Sequence, residues 1–275
     1  MARFSLAWLK PPKVPADGVM TLGEHLRELR YRLLVSMIGI AVAMVVAWFF
    51  QDALFDLLFR PWNDAAAIIS ATNPNLDVQS VLSNVVTPLI LVLKVCAVAA
   101  LIGTSPVWLY QVWAYIAPAL LAKEKKYALM FLGAAVPLFL AGVLVAYVIL
   151  PQAIAIMMSF TPDSIDVVNL IELDAFLSLL LQMMVVFGLG FLMPVIVVAL
   201  NLMGVVSAKS LKSARPYVIF GCFIFGAAAT PGGDPFSMLA LAVPMVVLFF
   251  VAEAICRVND KRRRSRLAAQ GLLVE

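Results

Sequence analysis

Long apolar blocks alternate along this chain with clusters of basic residues, and the clusters stand at every second junction between blocks. Eighteen of the twenty Lys and Arg residues obey that arrangement. Arg3, Lys10, Lys13, Arg27, Arg30 and Arg32 precede the first block, and Lys123, Lys125 and Lys126 lie between the second and third. Lys209, Lys212 and Arg215 lie between the fourth and fifth, and Arg257, Lys261, Arg262, Arg263, Arg264 and Arg266 follow the last. The other three loops hold one cation, Arg60. Because Lys and Arg near span ends are retained on the cytoplasmic side, the pattern predicts an even number of crossings with both termini cytoplasmic. Nine carboxylates (Asp52, Asp56, Asp64, Asp77, Asp163, Asp166, Glu172, Asp174, Asp234) fall in the opposite loops, where acids contribute little to orientation.

With 64% hydrophobic and 13% charged residues, the chain is far more apolar than a soluble domain, and its apolar runs are long enough to cross a bilayer. The expected class is an all-α membrane protein with spans near 31–50, 85–105, 128–150, 175–203, 216–230 and 236–256. They are expected to form one membrane domain over 1–275, with a flexible cytoplasmic lead over 1–20 and a basic cytoplasmic tail over 257–275. A net charge of +4 and a pI near 9.0 do not call for nucleic acid. Topology and attraction to anionic lipid headgroups account for the positive charge.

Cys96, Cys222 and Cys256 all fall inside expected helices, so no disulfide framework is implied and packing roles are expected. One histidine, His25, is too few for a His-rich metal or haem site, and no cofactor is expected. No apolar h-region precedes Tyr31, which predicts a first span kept as an uncleaved anchor.

Thr21 with Glu24 reads as a helix start, and Leu22, Leu26, Leu29 and Leu33 recur at helical spacing, so a surface helix should run directly into the first span. The loop between spans one and two is about 35 residues long, and its apolar positions (Leu54, Leu57, Leu58, Ile68, Ile69) suggest ordered helical pieces. Together with the loop between spans three and four it should build a cap. Spans five and six are expected to be short, and in span five Tyr217 to Ala229 covers about 20 Å against a hydrocarbon core of about 30 Å. The turn Thr230-Pro-Gly-Gly-Asp-Pro235 makes spans five and six a tight hairpin. Pro137, Pro194 and Pro244 predict curved or kinked helices.

Charge stands in three places where a bland membrane protein would not need it. Glu28 precedes Arg32 by one helical turn, which describes either an ordinary i,i+4 pair or part of a ligand site. Glu124 follows the aromatic stretch Trp108 to Tyr115 and either pairs with the neighbouring lysines or joins Glu28 in an acidic spot on a basic face. Such a spot suits a guanidinium ligand, because Arg forks onto carboxylates where Lys offers a point charge. Lys94 and Glu253 are ionisable groups at membrane depth, which are functional candidates by default; the alternatives are a Lys94 that snorkels and a Glu253 that pairs with Arg257 four residues on.

These stretches together resemble the TatC family, the polytopic receptor subunits of the twin-arginine protein translocase. The likeness rests on His25-Leu-Arg-Glu28-Leu-Arg30-Tyr-Arg32-Leu, on Tyr110-Gln111-Val-Trp113-Ala-Tyr115-Ile-Ala-Pro118-Ala-Leu ending in Glu124, on Arg215-Pro-Tyr-Val, and on the Thr-Pro…Asp234-x-Phe-Ser turn. It implies a glove-shaped bundle of six transmembrane helices, without catalytic chemistry, in the cytoplasmic membrane. It also implies binding of twin-arginine signal peptides and transport of folded proteins driven by the proton-motive force. The partners implied are single-span TatA- and TatB-type subunits, membrane lipids and further copies of the chain itself. Carried over by position, Glu28 and Glu124 contact the arginine pair, with Arg30, Arg32, Gln111 and Tyr115 completing the site. Pro61, Lys94, Pro118 and Asp234 take structural or translocation-related roles.

Tyr115 stands where the family usually has Phe, which keeps the aromatic face. Where the family commonly has a span-four carboxylate, this chain reads Phe191-Leu192-Met193-Pro194, with Gln182 the candidate polar replacement. Met238 replaces a family Gln and one glycine is added in the last loop. The rival readings are a transporter or channel lined by Lys94, Glu253, Pro194 and Pro244, and an intramembrane hydrolase. The hydrolase lacks both a His-Glu-x-x-His motif and an embedded aspartate pair.

Overall fold

A computed structural model of the chain describes residues 22–72, 78–82, 84–116, 125–160, 169–230 and 235–269, nearly all of them helical. Contacts group the chain into two compact units, Met1–Leu57 with Val86–Pro137, and Leu58–Val85 with Leu138–Glu275.

In the first unit, α1 (Leu22–Trp48) is one unbroken helix, as expected from the leucine spacing that runs into the apolar block. The stripe itself points outward. Leu22, Leu26, Leu29 and Leu33 are all exposed, whereas Glu28 is buried. The polar start of α1 thus turns its charged edge inward against α3 (Thr87–Gly103) and α4 (Ser105–Ile116), along which it packs. The two latter helices are bent by 59° at Thr104. Pro106 cannot donate to the preceding turn, and Thr104 fills the break: its N–H and Oγ1 both donate to the Ala100 carbonyl, and its own carbonyl accepts from Val107 and Trp108. Trp108 Nε1 reaches back to the Leu101 carbonyl at 2.9 Å.

The long first loop contributes α2 (Gln51–Thr72), a helix of 22 residues that continues through Pro61 and belongs to the second unit from Leu58 on. Its buried residues Leu58, Trp62, Ala65 and Ile69 fall at three- and four-residue spacing, and Trp62 meets Phe176 edge to face at 5.3 Å. The two loops expected to build a cap meet through a pair of strands, β1 (Val78–Val81) and β2 (Asn169–Glu172), paired in parallel from Val78 opposite Asn169 to Val81 opposite Glu172. The all-α expectation is corrected to that extent. Four-residue strands from remote segments exist only through their pairing and leave no periodicity to read.

The core of this unit lies where α5 (Lys125–Met158), in its part from Leu138 on, packs on α6 (Leu173–Gly190), around Phe139, Leu177, Leu180, Met183 and Phe187. A Cβ at Gly142 would run into the Phe187 carbonyl, and one at Gly188 would stand 2.6 Å from the Phe139 ring. Backbones this close need small residues at the crossing. After the break at Phe191–Leu192, α7 (Met193–Leu202) begins with Pro194 in its first turn, while α5 runs unbroken through Pro137. The hairpin of α8 (Ala208–Ala229) and α9 (Pro235–Ala269) packs at Gly226, where a Cβ would stand 3.0 Å from the Met238 carbonyl. Cys96, Cys222 and Cys256 are free and buried.

Among the described residues four helical stretches are long and apolar enough to cross a membrane: α1, Leu129–Met158, Leu173–Leu202 and Pro235–Ser265. The bent pair α3 and α4 makes a fifth if counted as one crossing. One of the two expected short spans is corrected. α9 is not short, since it runs 35 residues. α8 has 22 residues, but Lys209, Lys212 and Arg215 occupy its first turns and leave only the stretch after Pro216 apolar.

Candidate functional site

The inward edge of α1 and the far end of α4 bring four of the sequence-singled residues together. Arg32 donates from Nε (2.9 Å) and Nη2 (2.5 Å) to the same oxygen of Glu28, Oε1, and from Nη1 to Gln111 Oε1 at 3.3 Å. One turn earlier His25 stacks on Tyr115, with ring centroids 4.4 Å apart and planes at 18°. Residues 25, 28 and 32 share a face because they are separated by three and four positions, and so do Gln111 and Tyr115. The i,i+4 reading of Glu28 with Arg32 therefore holds, and a second helix is built onto it.

Burial gives this pair its character. The Glu28 side chain is 2% exposed and that of Arg32 17%. A carboxylate held in this way is stabilised only by partners of opposite charge and by hydrogen bonds to each oxygen. Because both Arg32 bonds fall on Oε1, they do not make the two-oxygen fork, and Oε2 remains buried without a hydrogen-bond partner among the described residues. The other such atom is Trp113 Nε1, whose indole stacks on Phe131 at 4.4 Å. Buried polar atoms are normally paired, so an orphaned carboxylate oxygen is acceptor capacity held ready for a donor.

The remaining sequence-singled residues stand apart from this cluster. Arg30 is exposed, two positions from Glu28 and so on the other side of α1. Glu124, Pro118 and Asp234 lie outside the described residues. Pro61 is buried in α2, and Lys94 is half-buried in α3 beside the buried Val95 and Cys96. Gln182 is exposed on α6, whereas Leu192 is buried at 7%. The two residues are ten positions apart, about 15 Å of helix, so Gln182 does not supply a buried polar group at the depth of Leu192.

A second charged cluster ties α8 to α9. Glu253, 1% exposed, accepts from Arg215 Nε at 2.8 Å and Nη2 at 3.0 Å, and from Arg257 Nη2 at 2.6 Å. Arg215 also lies over the Phe250 ring at 5.6 Å. Further along, Asp260 accepts from the Ala208 N–H at 2.7 Å and from Asn201 Nδ2 at 2.9 Å, and Asn259 Nδ2 donates to Asn201 Oδ1. An acid at the first N–H of α8 is where the helix dipole favours one. Sequence reading placed Glu253 and Arg257 together by spacing and missed Arg215. The available signal was that Arg215 and Glu253 flank a tight hairpin, 15 residues before Thr230 and 18 after Pro235.

The chain's similarity to known proteins agrees with this architecture. Residues 24–244 match the family model described as Sec-independent protein translocase protein (TatC). The TatC protein of Xylanimonas cellulosilytica is 39% identical over 258 residues, covering 92% of this chain and 91% of the relative. That of Frankia casuarinae is 37% identical over 249 residues, covering 90% and 68% respectively. A crystal structure of the twin-arginine translocase receptor TatC in DDM superposes with a TM-score of 0.70 at 30% identity, over 85% of this chain and 99% of that one. The chain is thus a multi-pass membrane component of a translocase, a transporter-type protein and not an enzyme in the ordinary sense, and other Tat components are its implied companions. It belongs to the TatC family of Sec-independent protein translocase proteins.

Proposed function

We propose that this chain recognises twin-arginine signal peptides at the Glu28 cluster and takes part in moving folded proteins across the cytoplasmic membrane. The observation that carries the reading is the Glu28 carboxylate, buried between α1 and α4 with one oxygen unpartnered among the described residues. A guanidinium is the donor that fits it, because it is flat, permanently charged and able to stack on the Tyr115 ring while it hydrogen-bonds. Glu124 supplies the second carboxylate for the second arginine, and Gln111 and Arg32 hold Glu28 in place. Arg30 faces away from the carboxylate and meets the peptide backbone or lipid phosphate around it.

In this reading six helices cross the membrane, with α8 counted as a short crossing and both termini cytoplasmic, all in one membrane domain. The basic clusters at alternate block ends support that orientation. Single-span TatA- and TatB-type subunits and further copies of the chain assemble with it. Pro61, Lys94, Pro118 and Asp234 serve the frame or the translocation step, which draws on the proton-motive force.

The test is binding of a fluorescent twin-arginine peptide to the purified chain in detergent, with a twin-lysine peptide alongside. E28Q combined with E124Q should abolish arginine-dependent binding while the protein stays folded. Undiminished binding by the double variant, or equal affinity for the two peptides, would refute the site. Solute flux through liposomes holding this chain alone would favour a channel instead.

A further inference from the structure

Three cations gather at the end of the α8–α9 hairpin's apolar portion. The ties Arg215–Glu253 and Ala208–Asp260 share one antiparallel register, which sets Lys212 level with Cys256 and Arg257. Lys212, exposed on α8, therefore stands level with Arg257 and within about one turn of Arg215, while the two arginines share a single buried carboxylate, Glu253. The next acid, Asp260, is already occupied by the α8 N-terminus and Asn201.

Exposure shows which way the excess charge faces. The Glu253 side chain is 2% exposed, Arg215 33% and Arg257 51%, so the carboxylate is turned inward and the guanidinium groups outward. Arg215 spends Nε and Nη2 on Glu253 and Arg257 spends only Nη2, leaving donors on both forks without a partner among the described residues. On α9, Arg257, Phe250 and Val247 recur at seven- and three-residue spacing on one face, and Phe250 and Val247 are exposed at 41% and 55%. Unspent cationic donors therefore sit at the head of an exposed apolar stripe.

We propose that Lys212, Arg215 and Arg257 form a binding site for the phosphate of an anionic phospholipid, whose acyl chains run along Phe250 and Val247. Basic pockets at the headgroup level between membrane helices suit this chemistry: guanidinium forks match phosphate oxygens, and the unbalanced charge selects a net-negative headgroup. Glu253 keeps the two arginines spread and cannot neutralise all three cations.

The test is native mass spectrometry of the full chain in neutral detergent, with phosphatidylglycerol or phosphatidylcholine of the same acyl chains. Wild type should retain phosphatidylglycerol about tenfold better or more, and K212Q/R257Q should lose that preference. R257K should keep it, as should K261Q/R264Q, which removes the same charge further along α9. Equal retention of both lipids by wild type overturns the proposal. So does a K212Q/R257Q chain that matches wild type, or a K261Q/R264Q chain that loses as much. Displacement of the lipid by millimolar inorganic phosphate would show that acyl contacts contribute nothing, and would overturn the lipid assignment.

Discussion

Arg215 forks onto Glu253, Nε to Oε2 at 2.8 Å and Nη2 to Oε1 at 3.0 Å, and so joins α8 to α9 across 38 positions of sequence. Arg257 reaches the same carboxylate from within α9. The two arginines are not equivalent, because only one of them bridges helices.

R215Q should therefore destabilise the protein more than R257Q. Without Arg215 the buried Glu253 carboxylate keeps only Arg257, which is half exposed, so a clear drop in unfolding temperature is expected. R257Q leaves the Arg215 fork intact and should cost under about 1 kcal/mol. Thermal unfolding in one detergent, followed by tryptophan fluorescence, measures both. Equal losses would show that the fork carries no special share.

Residue patterns made much of this architecture legible. Apolar block length gave the long helices, and the Thr230 to Pro235 turn gave the hairpin. What escaped was whatever depends on a partner remote in sequence. β1 and β2 are four residues each and pair only with one another. Arg215 looked like one more topology-setting cation until Glu253 was found opposite it. The Leu22 to Leu33 stripe was read correctly as helical, but periodicity cannot say whether an apolar face meets protein or lipid, and here Glu28 faces in. The same ambiguity left Gln182 open as a polar replacement, which only its exposure decided.

Gly142 and Gly188 both sit where α5 meets α6, yet they should respond differently to alanine. The atom met at Gly142 is the Phe187 carbonyl, which moves only if the helices separate, whereas Gly188 meets the Phe139 ring edge. Overpacking a close crossing costs about 1 to 3 kcal/mol. G142A should fall at the upper end and G188A at the lower, and unfolding midpoints of the two variants would rank them. A more damaging G188A would mean that the ring cannot shift.

His25 and Tyr115 close the α1–α4 edge by stacking, a contact that uses the ring and not the hydroxyl. Y115F should bind a twin-arginine peptide within about twofold of wild type. Y115L forfeits an aromatic pair valued at about 0.5 to 1.5 kcal/mol, hence roughly two- to tenfold weaker binding. A Y115F defect as large as that of Y115L would place the hydroxyl, and not the ring, at the centre of recognition.

Glu28 and Arg32 should separate stability from recognition when each is neutralised alone. R32Q strands a carboxylate whose side chain is 2% exposed, with Gln111 bonded to Arg32 and not to Glu28, so the loss should approach the roughly 3 kcal/mol of a broken buried pair. E28Q leaves a guanidinium that is 17% exposed and still bonded to Gln111, so it should cost about 1 to 2 kcal/mol. For the peptide the order reverses. E28Q removes the negative charge and puts an amide donor in place of one acceptor oxygen, and should weaken binding by more than about tenfold, while R32Q keeps Oε2 and should weaken it less. Paired unfolding and peptide-titration measurements on the two variants test this crossing. If one variant proves worse on both scales, Arg32 and Glu28 act as a single structural unit and the free oxygen has no share in binding.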